Sequence, residues 1–240
     1  MKNTLLVIII VGLALGSCVT KSTSNNSKAA YQLAVNARDY NSATSILTQW
    51  LAQDSSIGEW AYDSLAFYHY FYITNPNAVR NSSTPMFYVN KGLELKANDE
   101  YLKDIKAKLL LEQGKDTVSY GIFEELWKAT NNYSYYWDMA FIEIARNHVK
   151  EAEAMIDNML KDPKNMEKKV KMEHIQVQLI EEVPAKAAFL YLHALIQNGQ
   201  RDVMGAAQSL QESLKISPEF YAAKRSIMDL QRMAAQSQGR

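Results

Sequence analysis

The sequence predicts an all-α fold, and three observations support this prediction. From residue 28 onward the apolar side chains recur every three or four residues, which is the spacing of one buried helix face, and no alternating strand-like run stands out. The 240 residues contain only nine glycines and five prolines, and the prolines fall at the boundaries of the apolar runs. A single cysteine excludes intrachain disulfides and cysteine-based zinc sites.

The first eighteen residues have the composition of an export signal. Lys2 precedes an apolar run from Leu5 to Leu15, which is too short to span a bilayer. The following Leu15-Gly16-Ser17-Cys18 resembles the lipobox of bacterial lipoproteins, in which the cysteine is acylated and becomes the new N-terminus. The resemblance implies that residues 1–17 are a signal peptide and that Cys18 carries the lipid. The alternative is an ordinary secretory signal followed by a chance cysteine.

The residues after Cys18 indicate where a lipoprotein would reside. In the sorting rule of such proteins an acidic residue after the cysteine favours the inner membrane, whereas Val19 follows here. The resemblance therefore implies lipid anchoring in the outer membrane, and without an acidic export run we expect the protein to face the periplasm. Residues 18–27 are rich in Ser, Asn, Thr and Lys and are expected to form a flexible tether.

A folded region is expected over residues 28–236, followed by a tail at 237–240. Its predicted helices are 28–38, 40–53, 58–73, 85–97, 100–113, 117–129, 133–146, 149–161, 166–182, 184–198, 203–216 and 219–236. Because the turns between them are short, consecutive helices are expected to pack as antiparallel hairpins.

A repeated pattern runs through these helices. Four residues recur after 33 positions with their spacings of seven, five and four preserved: Ala107, Gly114, Ser119 and Phe123 become Ala140, Asn147, Ala152 and Ile156. This pattern resembles the tetratricopeptide repeat, in which small residues let paired helices approach closely and Gly or Asn ends the first helix in the left-handed conformation. The resemblance implies a right-handed α-solenoid of about five to six helical hairpins.

The repeat spacing changes after Ala152. The next small residue of this kind, Ala206, follows after 54 positions, about twenty more than one repeat. The predicted helix 166–182 has about this length. It is either an insertion, or it pairs with helix 184–198 as a hairpin of its own.

The resemblance also indicates which helix faces line the concave groove in which such repeats bind partners. In the first helix of each hairpin, this face lies at offsets of −6, −3, +1 and +4 from the small residues Ala66, Ala107 and Ala140. The candidate partner-binding residues are Trp60, Asp63, Phe67, Tyr70, Tyr101, Asp104, Trp137 and Phe141. Two interpretations remain open, because the rings either anchor a ligand or pack between helices as core.

The composition and motifs argue against several functions. The 26 Lys and Arg residues balance 26 Asp and Glu, so the chain lacks the positive charge that binding nucleic acid requires. The four histidines lie on, or directly before, four different predicted helices without zinc-site spacing, and phosphate-binding and nucleophile motifs are absent. We therefore expect no enzyme activity, no metal and no cofactor.

Together these patterns predict a lipid-anchored scaffold or assembly factor of the cell envelope, which binds a segment of another envelope protein in its groove. Tyr101 and Ile105 stand where the clamp for acidic chain ends has cations, so an acidic C-terminal peptide is not the expected ligand. One alternative is an enzyme or activator acting on peptidoglycan or glycan, with Asp63 and Asp104 facing the sugar. The other is a binding module for a small ligand.

Overall fold

The computed structural model describes residues 26–73 and 82–238. The predicted signal peptide 1–17, Cys18, most of the tether and the last two residues of the predicted tail lie outside these ranges. Within them, every helix is too short or too polar to cross a membrane.

The described residues form eleven α-helices and one two-stranded antiparallel sheet. The helices are α1 (26–36), α2 (Tyr40–Gln53), α3 (Gly58–Phe67), α4 (Ser83–Leu95), α5 (Glu100–Glu112), α6 (Asp116–Thr130), α7 (Tyr133–Ala145), α8 (Val149–Lys161), α9 (Ala185–Gly199), α10 (Val203–Ile216) and α11 (Tyr221–Gln238). The strands are β1 (Lys169–His174) and β2 (Leu179–Pro184). Short 3-10 turns lie at Ser55–Ile57, Pro163–Glu167 and Ile175–Val177, and a π-helical turn at Tyr68–Tyr72 follows α3.

The predicted all-α class is confirmed. The helices α2 and α10 coincide with the predicted ranges 40–53 and 203–216, and the other nine begin within two residues of their predicted starts. In the described part of the chain the helices follow one another as five pairs and a final α11, in agreement with a run of helical hairpins. The one predicted helix that fails is 166–182.

The chain divides into two compact units within α5, between Lys106 and Ala107. In the first unit, α2 and α3 and the turn between them enclose a core cluster of Leu47, Trp50, Ile57, Ala61 and Leu65. In the second unit, one cluster surrounds Phe123 and Ile142, and a larger one surrounds Phe189 and Phe220. Each unit therefore has its own apolar core.

A left-handed residue ends the first helix in four of the described helical pairs. These residues are Arg38, Gly114, Asn147 and Arg201, with φ of 57°, 71°, 61° and 66°. In each pair the backbone N–H of the residue after the left-handed one donates to the carbonyl oxygen five residues before it. These bonds run from Asp39 to Ala34 (2.9 Å), Lys115 to Leu110 (2.9 Å), His148 to Glu143 (2.8 Å) and Asp202 to Gln197 (2.8 Å). This Schellman-type end satisfies a helix carbonyl and reverses the chain.

The left-handed residue also sets which residue of the second helix faces the first. Five positions after it stands a small, fully buried residue, namely Ala43, Ser119, Ala152 and Ala206 in the four pairs. The close approach is direct in one pair, where Ser119 Oγ donates to the carbonyl oxygen of Ala107 at 2.8 Å. The predicted left-handed ends at Gly114 and Asn147 are thus confirmed.

The same spacing marks a pair that the sequence analysis did not recognise in full. The buried Ala194 lies seven residues before Arg201, and the buried Leu210 lies four residues after Ala206. The helices α9 and α10 therefore form a pair of the same type. The long step between Ala152 and Ala206 contains an insertion, which was one of the two alternatives.

The insertion is a β-hairpin and not the predicted helix 166–182. The strands β1 and β2 pair antiparallel, from Lys169 opposite Pro184 to His174 opposite Leu179. Residues 170–183 include five β-branched side chains, which favour an extended backbone. Because side chains of a strand alternate between its faces, both Val170 and Met172 reach the core of the second unit while Lys169 and Lys171 stay exposed.

Polar contacts hold the hairpin in the second unit. The carboxylate of Glu173 lies 3.0 Å from Lys108 Nζ and 3.2 Å from Lys171 Nζ. Although burial opposes ionisation, the two ammonium groups hold the pKa of Glu173 below its usual value. Glu181 accepts a hydrogen bond of 3.1 Å from the N–H of Tyr221 at the start of α11. The insertion is therefore an integral part of this unit.

Two glycine substitutions test the left-handed turn with opposite signs. Gly114→Ala places a side chain at a φ of 71° and should lower the free energy of unfolding by about 1 kcal/mol. Gly121→Ala lies inside α6 in open space, so it should raise stability by about 0.5 to 1 kcal/mol. Urea unfolding measures both, and equal effects at the two positions would contradict the assigned turn.

Candidate functional site

Three of the predicted groove residues lie along one side of α3. Trp60, Asp63 and Phe67 are spaced by three and four residues, so their side chains follow one another along the helix. Trp60 is 38% exposed. Its ring packs edge-on against Trp50 with centroids 5.4 Å apart and lies 5.7 Å from the ring of Tyr31. Part of the indole is therefore anchored in the first unit while the rest faces solvent.

The helix α5 adds a second ring beside Phe67. The ring centroids of Phe67 and Tyr101 are 5.9 Å apart and the rings are inclined by 50°. Phe67 also stacks on the buried ring of Phe71 at 5.3 Å. Both Phe67 and Tyr101 are half-buried. We name Trp60, Asp63, Phe67 and Tyr101 the α3–α5 face.

Asp63 gives this face an unusual acid. Its half-buried position is the main cause, and the negative charge of Asp99 the second, of a rise in the pKa of the Asp63 carboxyl to about 6. Glu59 acts in the same direction, and Lys96 acts against it. The carboxyl therefore changes charge close to neutral pH.

Asp99 is held in place by the start of α5. One carboxylate oxygen accepts a hydrogen bond of 3.1 Å from the N–H of Leu102, and the other lies 2.7 Å from Lys96 Nζ. Burial opposes ionisation, but these bonds keep the pKa of Asp99 below its usual value. Asp99 thus stays charged beside Asp63. Sequence reasoning missed this pair, although a Lys-x-x-Asp pattern just before a helix signals a capping acid.

Two other predicted groove residues lie inside the first unit. Tyr70 is only 3% exposed and Asp104 only 8%. They contribute to the interior, and we leave them out of the α3–α5 face.

The two candidates of the second unit pack on its core. The rings of Trp137 and Phe141 stack with centroids 5.5 Å apart and an interplanar angle of 8°. Trp137 Nε1 donates a hydrogen bond of 3.2 Å to the carbonyl oxygen of Ala188 on α9. Both rings contact the large apolar cluster of the second unit. Their indole and phenyl groups therefore help to join α7 to α9.

A tyrosine cluster lies next to α3 and was not foreseen. Tyr31 and Tyr68 share a hydrogen bond between their hydroxyl groups at 2.9 Å, and Tyr40 stacks on Tyr72 with ring centroids 3.8 Å apart. Burial and the hydroxyl of Tyr31 raise the pKa of Tyr68, so it stays protonated. The aromatic run Tyr68-His69-Tyr70-Phe71-Tyr72 was the sequence signal for this cluster, and it forms a π-helical turn.

The described ranges 26–73 and 82–238 contain no group of three or more His, Cys, Asp or Glu side chains placed to hold a metal ion.

Known structures share the fold of this chain. A tetratricopeptide repeat protein from Parabacteroides merdae superposes with a TM-score of 0.61 at 10% identity, over 89% of this chain and 74% of that protein. YrrB, a TPR protein with an unusual peptide-binding site, gives a TM-score of 0.51 at 12% identity, over 82% and 87% of the two chains. TTC0263, a thermophilic TPR protein of Thermus thermophilus, gives a TM-score of 0.50 at 9% identity, over 86% and 98%.

These likenesses define the class of fold. No family model matches the sequence, and no curated protein matches it. In its fold the chain is a helical-repeat protein of the tetratricopeptide-like type.

The raised pKa of Asp63 predicts a definite pH dependence of stability. The folded chain binds the Asp63 proton more tightly than the unfolded chain, whose pKa is about 3.9, so this stabilisation is complete below pH 4 and is lost as the pH rises through about 6. Asp63→Asn removes the ionisable carboxyl and with it this loss of stability at higher pH. The stability of the variant relative to the wild type should therefore increase between pH 4 and 7.

Urea unfolding at several pH values measures this difference, and Asp157→Asn is the control. The hydrogen bond from Lys161 lowers the pKa of Asp157, so this variant should show a flat difference above about pH 5. Carboxyl carbon NMR gives the Asp63 titration directly. A midpoint near 4 would contradict the assigned environment.

Proposed function

We propose that this protein is a non-catalytic interaction scaffold, and that the α3–α5 face binds an extended segment of a partner protein. The observation that carries the proposal is the partial exposure of Trp60, Phe67 and Tyr101 on the first helices of two successive pairs. Large rings that are held on one side and open on the other supply binding energy at low entropic cost. A peptide-binding site in YrrB, which shares the fold, supports this use of the architecture.

We further propose that the scaffold is anchored by lipid on Cys18 in the outer membrane and faces the periplasm. The support is the apolar run Leu5–Leu15, the lipobox-like Leu15-Gly16-Ser17-Cys18 and the neutral Val19. Several acyl chains add about 0.8 kcal/mol per buried methylene, so the anchor needs no help from protein charge. The partner is then another protein of the cell envelope.

A matched pair of tryptophan variants tests the binding face. Trp60→Ala should weaken binding of the partner by about 2 kcal/mol, so that less of it is recovered from envelope membranes. The same change should lower the free energy of unfolding by at most about 1.5 kcal/mol. Trp137→Ala removes a ring packed on the core and the bond to Ala188, so it should lower stability by about 3 kcal/mol. Quantitative pull-down and thermal unfolding measure both effects.

Phe87→Ala on α4 is the surface control, because Phe87 is 55% exposed and lies outside the α3–α5 face. It should leave both partner recovery and the melt unchanged. If Trp60→Ala recovers as much partner as Phe87→Ala, the α3–α5 face is not the binding site.

The anchor is tested at Cys18. Because the chain has one cysteine, Cys18→Ser leaves no thiol for an acyl chain, and the precursor should stay unlipidated and uncleaved. Metabolic labelling with a fatty-acid analogue, with Ser17→Ala as the control that retains the thiol, measures the modification. Labelling that persists in Cys18→Ser would refute lipidation at this residue.

A further inference from the structure

The charges around the α3–α5 face do not balance. Four described side chains act electrostatically at its centre: Glu59, Asp63 and Asp99 are carboxylates, and Lys96 is an ammonium. Lys96 Nζ is already engaged by Asp99 at 2.7 Å. When Asp63 is ionised, its carboxylate therefore sits in a half-buried place with excess negative charge. An incoming cation would relieve this repulsion.

The rings beside Asp63 narrow the choice of cation. Phe67 is one helical turn from Asp63, and Tyr101 lies 5.9 Å from Phe67 between ring centroids. The face of an aromatic ring attracts a cation, and a planar guanidinium both stacks on a ring and pairs with a carboxylate through two N–H groups. An ammonium is more strongly hydrated and stacks less well. The combination of ring and half-buried acid favours arginine over lysine.

We propose that the α3–α5 face holds an arginine side chain of an extended partner segment, with the guanidinium stacked against Phe67 and Tyr101 and paired with Asp63. This inference rests on the proposed function, because it specifies what the partner presents to the same face. Trp60, which lies one turn before Asp63 on α3, contacts the apolar part of the same segment. The partner segment therefore carries an arginine flanked by an apolar or aromatic residue.

Three synthetic peptides test the chemistry. They are acetylated and amidated Gly-Ser-Trp-Xaa-Gly-Xaa-Ser-Gly sequences with arginine, lysine or the neutral isostere citrulline at Xaa. Their affinities for the complete chain are measured by NMR titration. We expect the lysine peptide to bind at least about three-fold more weakly than the arginine peptide, and the citrulline peptide at least about ten-fold more weakly. Equal binding of arginine and citrulline peptides would overturn the proposal, and equal binding of arginine and lysine peptides would overturn the choice of a guanidinium.

Matched variants locate the binding. Asp63→Asn and Phe67→Leu should each weaken the arginine peptide about five- to ten-fold. Asp157→Asn and Phe87→Leu make the same chemical changes at exposed positions outside the face and should have no effect. Thermal unfolding confirms that each variant is folded. Unchanged affinity in Asp63→Asn would place the arginine elsewhere and refute the proposal.

The pH dependence gives an independent readout. The described charged groups that act on Asp63 are Glu59 on the same helix and Lys96 and Asp99 before α5. Because only the ionised carboxyl pairs with the guanidinium, affinity for the arginine peptide should rise between pH 5 and 7 and then level off. Asp63→Asn should abolish this rise. A rise that persists in the variant would assign the titrating group to another residue and contradict the proposed contact.

The experiments distinguish failure of the proposed scaffold function from failure of arginine recognition. If the peptides bind alike while Trp60→Ala still loses the envelope partner, the arginine inference is wrong and the scaffold remains. If Trp60→Ala loses no partner while the arginine peptide binds through Asp63, the face recognises arginine, but the proposed role of Trp60 as an anchor for the envelope partner is wrong.

Discussion

The left-handed residue at the end of a first helix is the constraint on which most of this structure depends. At Arg38, Gly114, Asn147 and Arg201 it closes the same hydrogen bond across the turn and brings a small residue of the next helix against the first one five positions later. The phase of each pair follows from this contact. Phase in turn decides which side chains of a first helix remain exposed to solvent.

The sequence predicts this architecture well where the turn residue is one that the conformation prefers. Gly114 and Asn147 reveal the repeat because glycine and asparagine tolerate positive φ, whereas Arg201 hides the α9–α10 pair since arginine gives no such signal. The β-hairpin was missed because Lys169–His174 alternates over too few residues to be distinguished from a polar helix. Its strand conformation depends on the core of the second unit, which accepts Val170 and Met172 from one face.

How deeply each candidate groove residue is buried is also only partly predictable from the sequence. Helical offsets identify the side of α3 that carries Trp60 and Phe67, but they do not show how far neighbouring helices cover each residue. Tyr70 is therefore interior although the offsets place it on the same side of the helix as the partly exposed Trp60, and the ring of Trp137 packs on α9. The electrostatic partner Asp99 comes from another element, and its effect on Asp63 follows only from their proximity in the fold.

These features support the proposal that a repeat fold set by its turns displays rings and a half-buried acid to which a partner segment binds. The central role of the turns is tested most directly at Arg201, because no sequence preference predicts a left-handed residue there. A positive φ brings the amide and α protons of one residue close together, so the account predicts a strong intraresidue NOE at Arg201, as at Arg38 and Asn147, between stretches with helical chemical shifts. A weak NOE with helical shifts continuing through Arg201 would contradict the shared turn, and with it the phase of the α9–α10 pair.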